Sequence, residues 1–376
     1  MIDNILLFPY WLALKTRHFL FDKGIRKSYP TEVPSISIGN VTVGGTGKTP
    51  HTEMILKELM ADETWGSRNI AVLSRGYKRR SRGFQQVPLE GSAKEYGDEP
   101  MQLKKKFPHV TVAVDKSRKE GCSFLCHPEL LEKSRKGRSC RHKEMPAADL
   151  ILLDDAFQHR QIKPTLSIVL VDYNRPTFRD HLLPFGRLRD LPERIAAADV
   201  VIVTKCPSYL DEWEKDRWAK ALGINSYDQS LRQGIRRKGK VQHLFFSTIK
   251  YDVPKAVFEE GDPRYVYAQR LILFTGIADD RPLRDYLSGD YKIVRHFNFP
   301  DHHKFTRQDV SSIKDAASAF PTSVIMTTEK DSQRIRDYAK MPENLRQRMF
   351  HVPIKAEFIS DGDREKFVSL VKDRLK

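Results

Sequence analysis

Short, continuous runs of apolar and β-branched residues punctuate the chain. They read "SISIG", "NIAVLS", "PHVTVAVD", "ADLILLDDAF", "LSIVLVDY" and "ADVVIVTKC". Apart from "SISIG", they are continuous and not alternating, so they predict strands of a parallel sheet buried on both faces. Polar and amphipathic stretches between them, such as "EMILKELMAD", predict the crossover helices of an α/β fold. A charged stretch, "SLRQGIRRKGKVQ", then leads to "HLFFSTIKYDVP", "RLILFTGIADDRPLRDYL" and "SVIMTTEKDSQRI". These predict a second, smaller α/β domain. The chain is accordingly expected to divide into 1–27, 28–235 and 236–376, with no internal repeat.

The first segment behaves differently. Its apolar run from Ile5 to Leu14 is interrupted by Pro9 and followed by Phe19, Leu20 and Phe21. Ten helical residues rise only about 15 Å, half of a bilayer core, so this run does not span one. No basic segment precedes it and no small-residue cleavage site follows, which argues against a signal peptide. An interfacial amphipathic helix is expected, with Tyr10 and Trp11 toward lipid and Lys15, Arg17, Lys23, Arg26 and Lys27 toward anionic head groups. A first helix packed on the protein's own core remains the alternative.

After "SISIG" comes "NVTVGGTGKTP". Gly44, Gly45 and Gly47 leave backbone N–H groups free to approach a phosphate, Lys48 can reach outer phosphates, and Thr49 can ligate magnesium. Thr42 stands where the strict G-x-x-x-x-G-K-[ST] pattern has its first glycine. The strand before and the helix after supply the context of a nucleotide-binding P-loop; the plain alternative is a glycine-rich turn.

Composition adds a partner class. With 65 Lys and Arg against 49 Asp and Glu, the net charge is +16. Such an excess suits a polyanion: nucleic acid, a phosphorylated substrate or an anionic membrane face. No nucleic-acid recognition fold or interleaved aromatic stripe accompanies it. Cys122, Cys126, Cys140 and Cys206 form no C-x-x-C pair, so unligated thiols are expected despite nearby His127 and His142. The stretch from Cys126 to Met145 reads as a charged surface loop.

Candidate acids stand at two places. Asp154 and Asp155 end an apolar strand, where an acid beside a P-loop can bind Mg²⁺. Asp98 and Glu99 precede an expected helix start at Pro100, where acids also simply suit a helix N-terminus. His302 and His303 form a pair that the residues alone do not couple to anything. Arg75, Lys78, Arg79, Arg80 and Arg82 make one basic loop, Arg187 and Arg189 another. Arginine forks suit phosphates, and each run is equally compatible with a solvated face.

Taken together, "GNVTVGGTGKTP", "LSRGYKRR", "GDEP", "LLDDAFQHR", "LLPFGRLRD", "ADVVIVTK", "FPDHH" and "TTEKD" resemble the tetraacyldisaccharide 4'-kinases of lipid A biosynthesis in Gram-negative bacteria. They keep the family's order from Gly39 to Asp331. The resemblance implies two α/β/α domains, the larger a P-loop NTPase-like parallel sheet, plus an N-terminal amphipathic membrane-associated helix. It implies ATP and Mg²⁺ as cofactors and transfer of the γ-phosphate to the 4'-hydroxyl of tetraacyldisaccharide 1-phosphate, giving lipid IVA. A monomer on the cytoplasmic face of the inner membrane is expected, and no nucleic-acid partner. Asp98, His302, Lys48 and Arg187 fall at the family's catalytic positions, Asp98 as base and His302 supporting it. Thr42, Val43, Gly44, Gly45, Thr46, Gly47, Lys48 and Thr49 form its nucleotide loop. Thr49, Asp154, Asp155 and Glu99 are the metal candidates, and Arg75, Tyr77, Arg118 and His159 the substrate candidates. Lys330 and Asp331 belong to a family motif whose role is open. Ala156 departs from a frequent glycine. A P-loop switch or a kinase of a soluble metabolite is the alternative function.

Overall fold

The computed structural model describes residues 2–338 and 340–376. Met1 of the expected 1–27 segment lies outside it, as do the side chains of Ile5 and Leu6. The predicted strands all form. Thr111–Val114, Ile70–Ser74, Leu150–Asp154, Ser35–Gly39, Leu166–Asp172 and Val200–Thr204 lie side by side and run parallel. Every residue of Ile70–Ser74, Leu150–Asp154 and Val200–Thr204 is buried, as continuous apolar runs require. Chain order brings Ser35–Gly39 between two strands that follow it much later, Leu150–Asp154 and Leu166–Asp172. Its C-terminal end is thus a crevice where the winding of the sheet reverses, the usual ligand position in such folds.

The sheet pairing divides the chain differently from a cut at residue 235. Val241–Tyr251 begins as a parallel strand beside Val200–Thr204 and ends paired antiparallel with Ile354–Phe358. These two strands connect the large sheet to a five-stranded one made of Lys255–Ala256, Met349–Val352, Val324–Thr328, Arg270–Thr275 and Lys292–Asn298. The chain then returns. Helix Asp361–Leu375 sets Phe367, Val371 and Leu375 into the core of the first sheet, against Phe245. Truncating one such fully buried side chain to alanine costs about 2–5 kcal/mol, so the last helix is part of the first domain.

Two further expectations change. Helix Asp98–Lys106 starts two residues before Pro100, putting Asp98 and Glu99 in its first turn and Lys104, Lys105 and Lys106 in its last. Both charge blocks then complement the helix dipole. The 126–145 stretch is not merely a surface loop. It carries a short helix, Leu130–Lys133, and buries Leu131 and Cys140 against Phe84 and Phe124. Gln85 Nε2 donates to the Ser139 carbonyl at 2.6 Å and holds the segment to the domain.

The N-terminal helix, Ile2–Asp22, runs through Pro9 and serves two surfaces at once. Leu7, Leu14 and Phe21 are buried, the first two in a core shared with Leu188 and Leu191. His18 meets Asp190 at 2.6 Å, and Tyr10 donates to the Arg189 carbonyl at 3.0 Å. Phe8, Trp11, Leu12 and Phe19 point outward, with Phe8 and Phe19 each 54% exposed. Among the described residues, no helix is long and apolar enough to cross a membrane.

Candidate active site

Local sequence builds the phosphate loop. Gly44, Gly45 and Gly47 have φ of 73°, 59° and 82°, a region open to glycine and costly for most other residues. Gly47 caps helix Lys48–Met60, so Lys48 and Thr49 open a helix whose free N–H groups and dipole favour an anion. Side chains brace the loop from beneath. Asn40 Nδ2 donates to Thr46 Oγ1 at 2.7 Å, and Thr204 Oγ1 donates to the Thr46 carbonyl at 3.0 Å. Buried His51 spans the loop and the linking strand. Its Nδ1 donates to the Gly47 carbonyl at 2.7 Å, and Ser247 Oγ–H donates to Nε2 at 2.8 Å. Burial pushes the imidazole down to about 4, so it is neutral at pH 7.

The two acids after Leu150–Leu153 occupy different environments. Asp155, with φ 49°, lies 3.8 Å from Lys48 Nζ and is gripped by both Nη atoms of Arg189. Burial would raise its pKa; Lys48 and Arg189 outweigh that and hold the carboxyl at about 2. Asp154 is buried and takes one hydrogen bond, from Ser74 Oγ at 3.1 Å. Its Oδ1 has no partner. Burial, with Glu99 and Asp155 nearby, raises its pKa. An orphaned buried carboxylate oxygen facing other acids fits a divalent cation. Asp154, with Glu99 near, therefore suits a divalent cation better than Asp155, whose charge two cations already balance. Among the described residues no three His, Cys, Asp or Glu side chains are grouped so that they could hold a metal ion by themselves. Such a site leaves room for phosphate oxygens and water.

Asp98 and His302, 204 positions apart, meet where the two sheets face each other. Asp98 Oδ2 accepts from Arg334 Nε at 2.7 Å and lies 3.2 Å from His302 Nδ1. Lys330 Nζ donates to His302 Nε2 at 3.3 Å. Arg334 Nη2 also faces His302 Nδ1 at 3.2 Å, so Asp98, His302, Lys330 and Arg334 form one polar cluster. Asp98 Oδ1 has no hydrogen bond among the described residues. Burial would raise the carboxyl, but the His302 hydrogen bond and the charge and hydrogen bond of Arg334 hold it below the usual carboxylate range. Gly97 at φ 100° packs its backbone on Gly76; a Cβ there would sit 3.3 Å from the Gly76 Cα. The "SRGY" loop thus lies against the start of the Asp98 helix, and the Tyr77 ring reaches His302 edge-on at 5.3 Å.

A kinase-type arrangement results: a phosphate cradle and a carboxylate with one anchored oxygen and one open. A family model described as tetraacyldisaccharide-1-P 4'-kinase matches residues 4–376. The chain belongs to the tetraacyldisaccharide 4'-kinase family. Tetraacyldisaccharide 4'-kinase of Phocaeicola vulgatus is 36% identical over 373 residues, covering 98% of this chain and 93% of the other. That of Parabacteroides distasonis is 36% identical over 380 residues, with 98% and 94% covered. LpxK from Aquifex aeolicus, solved in complex with ATP, superposes over the full length of both chains with a TM-score of 0.69 and 25% identity.

Within this kinase fold the remaining candidates separate. Arg75 is exposed at the end of strand Ile70–Ser74. Arg187 is exposed too, and its carbonyl accepts from Val43 N–H at 2.7 Å, so it is its backbone that braces the phosphate loop. Arg118 is only 2% exposed and donates to the carbonyls of Asp115 and Asp154, at 2.6 and 2.8 Å. It ties two strand ends together. His159 is half-buried; burial and neighbouring Arg118 and Arg75 push it down to about 4. Cys122 and Cys140 sit in the apolar core, and His127 pairs with Glu32 at 2.6 Å.

Sequence reasoning named Arg189 only as half of a basic pair suited to phosphate, missed Arg334, and gave "TTEKD" no role. Glu329 meets Lys106 at 3.2 Å, and Lys330 lies 3.5 Å from Glu99 as well as binding His302. Buried Asp331 accepts from Gly276 N–H, Thr328 Oγ1 and Arg334 Nη1, at 2.8, 2.7 and 2.7 Å. The motif fastens helix Glu329–Arg336 of the second domain along helix Asp98–Lys106 of the first. Three charges within one turn of a helix were the available signal.

Proposed function

We propose that this kinase uses Asp98 as the base for the 4'-hydroxyl of tetraacyldisaccharide 1-phosphate while the loop Thr42–Thr49 holds the phosphates of ATP. The observation that carries this reading is the open Oδ1 of Asp98 beside an anchored Oδ2. Phosphoryl transfer passes through a loose transition state that asks more for position than for a strong base. A carboxylate held below its usual range suits that demand, since it is ionised at any working pH and takes the proton as the new bond forms. His302 and Arg334 fix its orientation. Lys48 and the loop N–H groups balance charge on the transferred group. Thr49, Asp154 and Glu99 would hold Mg²⁺, which supplies Lewis-acid charge neutralisation when bound.

The outward face of the first helix supports docking at the cytoplasmic surface of the inner membrane. Phe8, Trp11, Leu12 and Phe19 would enter the lipid boundary, with Lys15 and Lys23 beside them for anionic head groups. Because Tyr10 and His18 of that helix bind the Arg189–Asp190 loop, the catalytic groups would stand next to the surface where a tetraacylated substrate resides.

The test is ³²P transfer from γ-labelled ATP to tetraacyldisaccharide 1-phosphate in detergent micelles, with and without magnesium. Labelled lipid that depends on magnesium, Asp98 and Lys48 is expected. ATP hydrolysis without labelled lipid would overturn the acceptor. For the membrane, flotation with anionic vesicles is expected to be lost in the Trp11→Ser, Phe19→Ser double variant.

A further inference from the structure

A cavity of about 640 Å³ opens beside Arg118 and His159, with no residue of the phosphate loop in its lining. Its walls come from the start of helix Arg118–Cys126, from His159 after the Asp154–Asp155 pair, and from the 126–145 segment. That segment is the one the sequence set aside as a surface loop. It closes tightly on the opposite wall, since a Cβ at Gly83 would meet Ser139 Oγ at 2.6 Å.

Five basic side chains line the cavity, among them Lys116, Arg118, Arg135 and Lys136, against the carboxylates of Asp115 and Glu120. Glu120 is already matched by Lys136 at 2.8 Å. Lys116 and Arg135 make no ion pair among the described residues. Two buried polar atoms on this wall are also without partners: Arg118 Nε and Asp115 Oδ2, on residues 2% and 3% exposed. Native structures seldom leave such atoms unsatisfied unless something else meets them. Burial raises the Asp115 carboxyl above the ordinary carboxylate value, against the pull of Arg79 and Arg118.

We propose that this cavity is the subsite for the 1-phosphate of the acceptor disaccharide, with Lys116 and, from the 126–145 segment, Arg135 as its recognising cations. The inference rests on the acceptor proposed above. That acceptor carries its reacting hydroxyl on one sugar and its phosphate on the other. The cavity adjoins the acidic pair after strand Leu150–Asp154, because Arg118 on its wall binds the Asp154 carbonyl at 2.8 Å. The nucleotide's own phosphates are served by the loop on the far side of strand Leu150–Asp154.

The experiment compares the parent with the Lys116→Ser, Arg135→Ser double variant in detergent micelles. Acceptors are tetraacyldisaccharide 1-phosphate and the same lipid lacking its 1-phosphate. Both positions are exposed, and circular dichroism with a melting curve verifies the fold. For the phosphorylated acceptor, kcat/KM should fall about ten- to a hundredfold, mostly through KM, as expected for lost charge-assisted hydrogen bonds. On the unphosphorylated acceptor parent and variant should converge, and KM for ATP should not move. An equal loss on both acceptors, or none on either, overturns the subsite while leaving the kinase reading intact. A parent that labels neither acceptor overturns the acceptor itself, and the subsite with it.

Discussion

The phosphate loop and the Asp98 site are built on opposite plans. The loop's glycines, lysine and threonine come from eight consecutive residues, and its struts come from neighbouring strands of one sheet. The Asp98 site is assembled across two domains: carboxylate and Tyr77 from the first, His302, Lys330 and Arg334 from the second. The first can hold phosphates whatever the second domain does. The second exists only while helix Glu329–Arg336 lies along helix Asp98–Lys106. Substrate-driven closure is the general way such split sites are completed. Here the ion pairs Lys106–Glu329 and Arg334–Asp98, at 3.2 and 2.7 Å, are what closure would form.

The largest test of that contrast separates the two regions kinetically. Lys48→Ala should weaken ATP binding and lower kcat by about 10²–10³-fold. Asp98→Asn should lower kcat by about 10²–10⁴-fold with nucleotide affinity nearly unchanged. Equilibrium ATP binding beside single-turnover transfer measures both; weakened ATP binding in Asp98→Asn would erase the distinction.

Acid should damage the loop first. His51 has a folded pKa of about 4 against an ordinary value of 6.5. Its neutral form is the one the fold stabilises, so this contribution is fully present above about pH 6.5 and is lost as pH falls toward 4. The loss amounts to as much as about 3 kcal/mol. Asp98 has a lowered pKa, so its contribution is present above the ordinary carboxylate value and is lost only below it. Urea melts at pH 7 and pH 4.5 are expected to show the drop, and His51→Gln should shrink it. An unchanged pH dependence in that variant would remove His51 from the account. His159 and His351, also pushed down, to about 4 and 3, would then carry it.

Arg334→Met addresses the domain-spanning site directly. Losing a charge-assisted hydrogen bond to Asp98 should reduce kcat about 10–100-fold. It also removes one of the groups that keep the carboxyl low, so the acid limb of kcat against pH should move upward. A fall in kcat with the acid limb unmoved would make Arg334 a structural brace and nothing more.

The same contrast explains what could be read from the residues alone. The sheet was legible because five continuous apolar runs admit few other fates, and the phosphate loop because its chemistry is contiguous. Asp98 and His302 carry no mutual signal in periodicity or spacing, and only likeness to a family joined them. The carboxylate partners of Arg189 and Arg334 were hidden for the same reason: a basic residue in a charged stretch looks alike whether it faces solvent, a phosphate or a buried carboxylate. The 236–376 division missed the return of Phe367, Val371 and Leu375 to the first core, a pairing over more than a hundred residues that no local pattern records. The first helix was read as facing either lipid or core, and it does not choose. Leu7 and Leu14 pack inward while Phe8, Trp11 and Phe19 remain outside.

The finest probe of the comparison is Tyr77. Its ring meets His302 edge-on at 5.3 Å while remaining 59% exposed, so it belongs to the first domain and touches a residue of the second. Edge-to-face aromatic pairs are worth about 0.5–1.5 kcal/mol, which corresponds to roughly a two- to tenfold change in rate if the contact holds His302 in its working orientation. Tyr77→Leu should therefore lower kcat within that range and leave ATP affinity alone, and Tyr77→Phe should be nearly silent. If the contact acts only through the closed arrangement, combining Tyr77→Leu with Arg334→Met should cost less than the two separate losses multiplied together. Both substitutions would then loosen the same imidazole, and residues acting through one group are not independent. A fully multiplicative double variant would instead separate the aromatic contact from the Arg334 pair.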